Sequence, residues 1–128
     1  MNSKIIIIED DIELCEELKL ILVEEGYLIE SANNGFDGIN LIKNNKYDLA
    51  LLDLKMPVIN GLEVLKVVKN NYKNIKVIIM TARTKIDIEE NKEKNEDEDD
   101  ILKLADMVIQ KPFNIKNLIK SINNLITQ

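Results

Sequence analysis

Four aliphatic runs in this chain each stop at a side chain that could do chemistry. Ile5-Ile6-Ile7-Ile8 runs into Glu9, Asp10 and Asp11, and Leu49-Ala50-Leu51-Leu52 ends at Asp53. Val77-Ile78-Ile79-Met80 ends at Thr81, and Met107-Val108-Ile109 leads through Gln110 to Lys111. Clustered carboxylates repel and raise one another's pKa unless a cation joins them. Oxygen ligands suit a hard divalent ion, and magnesium takes only one or two carboxylates, often with phosphate oxygens completing its shell. Asp10 and Asp53 can supply those carboxylates. Lys111 can pair with Asp53 or with an incoming anion, and Thr81 can donate a hydrogen bond to the same anion. Such a set suits phosphoryl transfer, where positioning and charge neutralisation do most of the catalysis. A carboxylate can itself accept the group covalently. A lone acid, Thr or Lys at a strand end is usually just solvated. Four strand ends with mutually complementary groups are much harder to explain that way.

The elements between these runs decide whether the groups meet. A continuous aliphatic run suits a strand buried on both faces. Between the runs, apolar residues recur at helical spacing. Leu14, Leu18, Ile21 and Leu22 mark a first helix over Ile12 to Glu25, ended by Gly26. Tyr27-Leu28-Ile29 reads as a short strand, Asn33-Asn34-Gly35 as a turn, and Phe36 to Asn45 as a helix. Pro57 and Asn60-Gly61 mark a loop before the helical face of Leu62, Val64, Leu65 and Val68. Ile115, Leu118, Ile119, Ile122 and Ile126 form the last helical stripe. Five strand–helix units imply a parallel sheet with helices on both faces. In such a sheet ligands sit beyond the carboxyl ends of the strands, which is where all the reactive side chains fall.

Composition narrows the chemistry further. The 128 residues suit a single domain with an aliphatic core, since aromatics are only 4% and Trp is absent. There is no histidine, which excludes His-based zinc sites, His-activated nucleophiles and a phosphohistidine carrier. One cysteine, Cys15, excludes an internal disulfide and cysteine metal clusters, and a packing role suits it best. No apolar run is long enough to span a membrane. No secretory leader is evident, so a cytoplasmic location is expected. The net charge of −6 is concentrated in residues 87–100, which hold nine acids and two bases, while the remainder is close to neutral. Without a basic stripe, direct nucleic-acid binding by this chain is not expected.

The matching stretches Ile5-Ile6-Ile7-Ile8-Glu9-Asp10-Asp11, Leu51-Leu52-Asp53-Leu54-Lys55-Met56-Pro57, Asn60-Gly61, Met80-Thr81-Ala82-Arg83 and Lys111-Pro112-Phe113 span nearly the whole chain. In this order they resemble the receiver domain of two-component response regulators. The resemblance implies a flavodoxin-like, doubly wound α/β fold, with five parallel strands in the order 2-1-3-4-5 and five flanking helices. It implies that Asp53 is the phosphoacceptor, contacted by Thr81 and Lys111. Mg2+ (or Mn2+) would be held by Asp10, Asp53 and the Lys55 backbone carbonyl, with Glu9 acting through water. The Lys111-Pro112 bond would be cis. The phosphodonor would be a sensor histidine kinase or phosphotransfer protein, and the response would pass to an output domain or effector protein. The domain would catalyse its own phosphorylation and dephosphorylation without being a metabolic enzyme.

Three positions depart from the family pattern. Val108 stands where a Tyr or Phe usually lies three residues before the Lys, so the ring whose rotation tracks activation is absent. Leu104-Ala105 replaces the usual Gly-Ala before the last strand. The stretch from Thr81 to Lys111 is longer than usual by about two helical turns, and the excess coincides with the acidic run. That run is expected as an exposed extension of the fourth helix or a mobile loop, because so many acids cannot be buried together. Other functions fit less well. A haloacid-dehalogenase-type phosphatase needs Asp-x-Asp, and Asp53-Leu54-Lys55 lacks the second acid. The P-loop of NTPases is missing, and a flavodoxin's phosphate would be repelled by Glu9-Asp10-Asp11. The alternative on the same fold is a docking module that works without phosphorylation.

Overall fold

The computed structural model describes residues 2–82 and 100–127. Its strands are β1 (Lys4–Ile8), β2 (Leu28–Ala32), β3 (Leu49–Asp53), β4 (Lys76–Thr81) and β5 (Met107–Gln110). Its helices are α1 (Ile12–Glu24), α2 (Gly35–Asn44), α3 (Gly61–Asn71) and α4 (Ile115–Ile126). Residues 100–102 are also helical. Arg83 and the acidic residues 87–99 lie outside the described residues, as does the expected extension of a helix there.

All strand pairs are parallel and the sheet order is β2-β1-β3-β4-β5, as the family resemblance implies. Side chains alternate across a strand, and the isoleucine run feeds both faces of the sheet. Ile6 and Ile8 pack with Ala50, Leu52, Val77 and Ile79 beneath Ile42 of α2 and Val64, Leu65 and Val68 of α3. Ile5 and Ile7 pack with Leu49, Leu51, Ile78 and Met80 against Cys15, Leu18 and Leu22 of α1 and Leu118, Ile122 and Leu125 of α4. Cys15 is fully buried and serves this second layer.

The helix ends follow from local chemistry. Asp11 caps α1 by accepting the Leu14 N–H at 3.2 Å. Gly26, with φ of 98°, takes the left-handed conformation that closes the helix, and its N–H donates to the Val23 carbonyl. Asn34, Asn60 and Asn114 cap α2, α3 and α4 in the same way as Asp11. β2 runs three residues beyond the expected Ile29, because Glu30, Ser31 and Ala32 pair with Ile6, Ile7 and Ile8 at the sheet's edge. Polar side chains there can stay half-buried, which hides the strand from a hydrophobicity reading.

The turn into β5, where Leu104-Ala105 departs from the family, is held by Asp106. Its N–H donates to the Val77 carbonyl at 2.9 Å, and its carboxylate accepts the Val77 N–H at 2.7 Å. Lys69 of α3 pairs with the same carboxylate at 2.6 Å. One acid thus ties α3, β4 and the entry to β5 together.

Candidate functional site

Register brings the reactive groups to one edge. Ile8 lies beside Leu52 in the β1–β3 pair, so Glu9 and Asp53 emerge one step further on as neighbours. Asp53 pairs with Met80, which puts Thr81 at the end of the next strand, and Thr81 pairs with Gln110, just before Lys111. The Lys111 N–H donates to the Thr81 carbonyl at 2.7 Å. The Lys111-Pro112 bond is cis.

Burial singles out the same edge. Among the described residues, the buried polar or charged side chains are Glu9, Asp53 and Thr81, at 0%, 5% and 3% exposure. All three stand at the carboxyl ends of adjacent strands, although burying charge is costly without partners. Asp10 is exposed beside them. One carboxylate oxygen from each of Glu9, Asp10 and Asp53 lies within 4.8 Å of the others. Lys111 Nζ sits 2.5 Å from Glu9 Oε1 and 3.5 Å from Asp53 Oδ1.

These partners set the electrostatics. The Asp53 carboxyl is pushed up to about 7, first by burial, then by hydrogen bonding to Glu9 and Asp10 and by the charge of Glu9, while Lys111 opposes the rise. Burial works to lower the Lys111 ammonium. Its hydrogen bond to Glu9 and the charges of Asp53 and Glu9 outweigh burial and raise it. Burial and the neighbouring carboxylates thus both favour the neutral form of Asp53, and Lys111 offsets them only in part. Three carboxylates at this spacing fit a hard divalent cation such as Mg2+.

The backbone around the acids is fixed from several sides. The Glu9 N–H donates to the Ala32 carbonyl, and the Asn33 side-chain amide donates to the Glu9 carbonyl at 3.0 Å. The Lys55 N–H donates to Asp53 Oδ1 at 3.3 Å. The Gly61 N–H donates to the Leu54 carbonyl at 2.9 Å. A Cβ at Gly61 would lie 2.3 Å from the Asp53 carbonyl oxygen and 2.6 Å from Leu54 Cα. The sequence reading brings Glu9, Asp10, Asp53, Thr81 and Lys111 to this edge, where the structure has them. It misses the supporting roles of Asn33 and Gly61. Asn60-Gly61 reads from sequence as loop punctuation, whereas the chain needs a glycine there because α3 starts against the end of β3.

A doubly wound sheet with an acid cluster and a lysine at its carboxyl edge defines a class of phosphate-handling signalling domain, and comparison with known proteins identifies which. The response regulator receiver domain family model matches residues 5–123. The chain is 39% identical over 127 residues to the transcriptional regulatory protein CpxR homolog of Haemophilus influenzae, covering 97% of this chain and 50% of that protein. It is 40% identical over 94 residues to sporulation initiation phosphotransferase F of Bacillus subtilis, covering 73% of this chain and 76% of that protein. The response regulator TrrA of Thermotoga maritima, solved in complex with Mg2+–BeF, superposes with a TM-score of 0.81 at 31% identity, over 96% of this chain and 98% of that one. The chain therefore belongs to the response regulator receiver domain family, the phosphorylation-dependent switch module of two-component systems. It spans about half the length of the first curated relatives it matches. Among the described residues no helix is long and apolar enough to cross a membrane.

Proposed function

We propose that Asp53 accepts a phosphoryl group from a phosphohistidine on a sensor kinase or phosphotransfer protein. The observation that carries this reading is the burial of Glu9, Asp53 and Thr81 at three adjacent strand ends in an otherwise aliphatic interior. An Asp53 carboxylate oxygen attacks phosphorus as the P–N bond of the donor breaks. The donor imidazole leaves with the bonding electron pair, and an aspartyl phosphate remains. Lys111 pairs with the phosphoryl oxygens, and the Thr81 hydroxyl donates to one of them. Asp10, Asp53 and the Lys55 carbonyl would hold Mg2+ or Mn2+, with Glu9 reaching it through water. The bound cation would offset the charge of the carboxylates and the entering group. The same residues would serve hydrolysis of the acyl phosphate, so the domain would govern its own lifetime in the signalling state.

In this reading the chain is one receiver domain, with residues 87–100 an acidic insertion in it. It works in the cytoplasm and passes its state to an output domain or effector protein rather than binding nucleic acid itself. Incubation with a small acyl-phosphate donor, followed by mass spectrometry, tests the central step. Asp53 should gain one phosphoryl group with Mg2+ present and none with chelator. Equal labelling of wild type and Asp53→Ala would overturn the assignment, and a partner response indifferent to labelling would favour the phosphorylation-independent docking module.

A further inference from the structure

The stretches that lead into β3 and β4 carry the same three residue types. Asn45, Lys46 and Tyr47 precede β3, and Asn71, Tyr72 and Lys73 precede β4. All of them line one cleft of about 430 Å3 at the amino end of the sheet. Small-molecule sites span roughly 300–1,000 Å3. The Lys76 N–H donates to the Asp48 carbonyl at 3.1 Å, which holds the two lead-ins side by side. The chain has three tyrosines, two phenylalanines and no Trp, so this cleft gathers a large share of its rings. Tyr47 is buried and turns its hydroxyl to Glu30, whereas Tyr72 is half-buried. The Asn45 and Asn71 side-chain amides donate back to the Leu41 and Val67 carbonyls, each at 3.0 Å. Those bonds fix both side chains and leave their Oδ1 atoms to accept.

The lysines are more than helix caps. α2 and α3 end here, and a cation near a helix C-terminus answers its negative end. Lys43 and Lys69 already stand in those last turns, and Lys69 donates to the Ile75 carbonyl at 3.1 Å. Lys46 and Lys73 lie beyond them, exposed and in no ion pair among the described residues. Asp48 also lines the cleft, but its carboxylate accepts the Lys4 N–H at 2.8 Å. We propose that this cleft binds a nucleoside monophosphate whose base carries an exocyclic amine. The base lies on the Tyr72 ring and its amine donates to Oδ1 of Asn45 or Asn71. The phosphate takes the Lys46 and Lys73 ammoniums. The cleft and Asp53 stand at opposite ends of β3, roughly 16 Å apart, so this site is separate from phosphoryl transfer.

Calorimetric titration with AMP tests the site, with chelator present to keep the nucleotide phosphate from any metal at Asp53. AMP should saturate one site below about 1 mM. Adenosine lacks the phosphate, inorganic phosphate lacks the base, and UMP lacks the exocyclic amine. Each should bind at least about fivefold more weakly than AMP. The double variant Lys46→Gln, Lys73→Gln should weaken AMP at least about tenfold, and Tyr72→Leu at least about fivefold. Asp53 labelling by an acyl phosphate should stay unchanged in both. In amide NMR spectra, AMP should shift the signals of residues 45–48 and 71–75. No saturation, inorganic phosphate equal to AMP, affinity indifferent to the lysine pair, or shifts centred on the carboxyl edge would each overturn the site. UMP equal to AMP would overturn the reading of the base by the amides. If Tyr72→Leu does not fold, the lysine variant answers alone, since it removes only exposed charge.

Discussion

Two residues near the acids show how much of a site can rest on backbone. Gly61 has no side chain because there is no room for one against the Asp53 carbonyl oxygen and Leu54 Cα. Those neighbours are backbone and cannot swing aside, so Gly61→Ala must push α3 away from the end of β3. Overpacking of this kind costs about 1–3 kcal/mol. Denaturant unfolding of Gly61→Ala should show a loss in that range, together with weaker Mg2+ binding from the displaced Asp53. Val58 is the opposite case. It takes φ of 67° and is 97% exposed, a strained conformation for a β-branched residue that packs on nothing. Left-handed backbone costs a side-chain-bearing residue about 1–2 kcal/mol, and the extra chain entropy of glycine takes back about 0.5–1 kcal/mol. Val58→Gly should therefore stabilise the domain by up to about 1 kcal/mol. An unchanged or lower midpoint in denaturant would show that the loop gains nothing from relief at this position.

Among the elements, what was legible in the sequence depended on whether its signal was physical contrast or local geometry. β1, β3 and β4 announce themselves because strands buried on both faces must be aliphatic throughout. Their final residues, Glu9, Asp53 and Thr81, stand out for the same reason, as polar groups set against an apolar run. The recognition of the site needed only that contrast together with the rule that parallel strands present their carboxyl ends on one side. Edge strand β2 lacks the contrast at Glu30 and Ser31, so only its apolar start shows in the sequence. Asn34-Gly35 and Asn60-Gly61 carry turn chemistry that is also N-cap chemistry. Asp37 and Glu63, three residues after each Asn, were the available sign, since their N–H groups are the ones capped, at 2.8 Å and 3.0 Å. The pairing of Glu9 with Lys111 in preference to Asp53 was not legible. Reach across three strand ends depends on side-chain length and on the register of four strands at once.

At the scale of the whole molecule, a second polar network holds the opposite end of the sheet. Lys4 pairs with Glu30 at 2.5 Å, the Tyr47 hydroxyl donates to Glu30 at 2.9 Å, and the Lys4 N–H donates to Asp48 at 2.8 Å. β1, β2 and the lead-in to β3 are thereby joined. The hydrogen bond from Lys4 holds the Glu30 carboxyl below its ordinary value, against the opposing effect of burial, with help from Tyr47 and the Lys4 charge. A carboxyl depressed by folding contributes stability above its unfolded pKa and loses it as pH falls through the folded one. Glu30 is partly solvated, so the contribution is small. Lys4→Met should be less stable than wild type at neutral pH, and the two should converge below the ordinary carboxylate range. A gap that stays constant across that range would assign the loss to the contact of the Lys4 ammonium with the Tyr47 ring.

The long reach of the Glu9–Lys111 bridge also has a meaning in time. Its two ends are 102 residues apart in the chain, and ribosomes add about 5–20 residues per second. A nascent chain thus carries Glu9, Asp10 and soon Asp53 for several seconds, on the order of 5–20 s, before its lysine exists. During that interval β1 and β3 can bring the acids together without the ammonium that pairs with Glu9, and that ion pair forms only when β5 docks at the far edge of β4. A product broken off before Lys111 would keep the carboxylates and lack the ammonium. The ammonium that meets the buried carboxylates thus arrives only with the last strand of the sheet, 102 residues after the first of them.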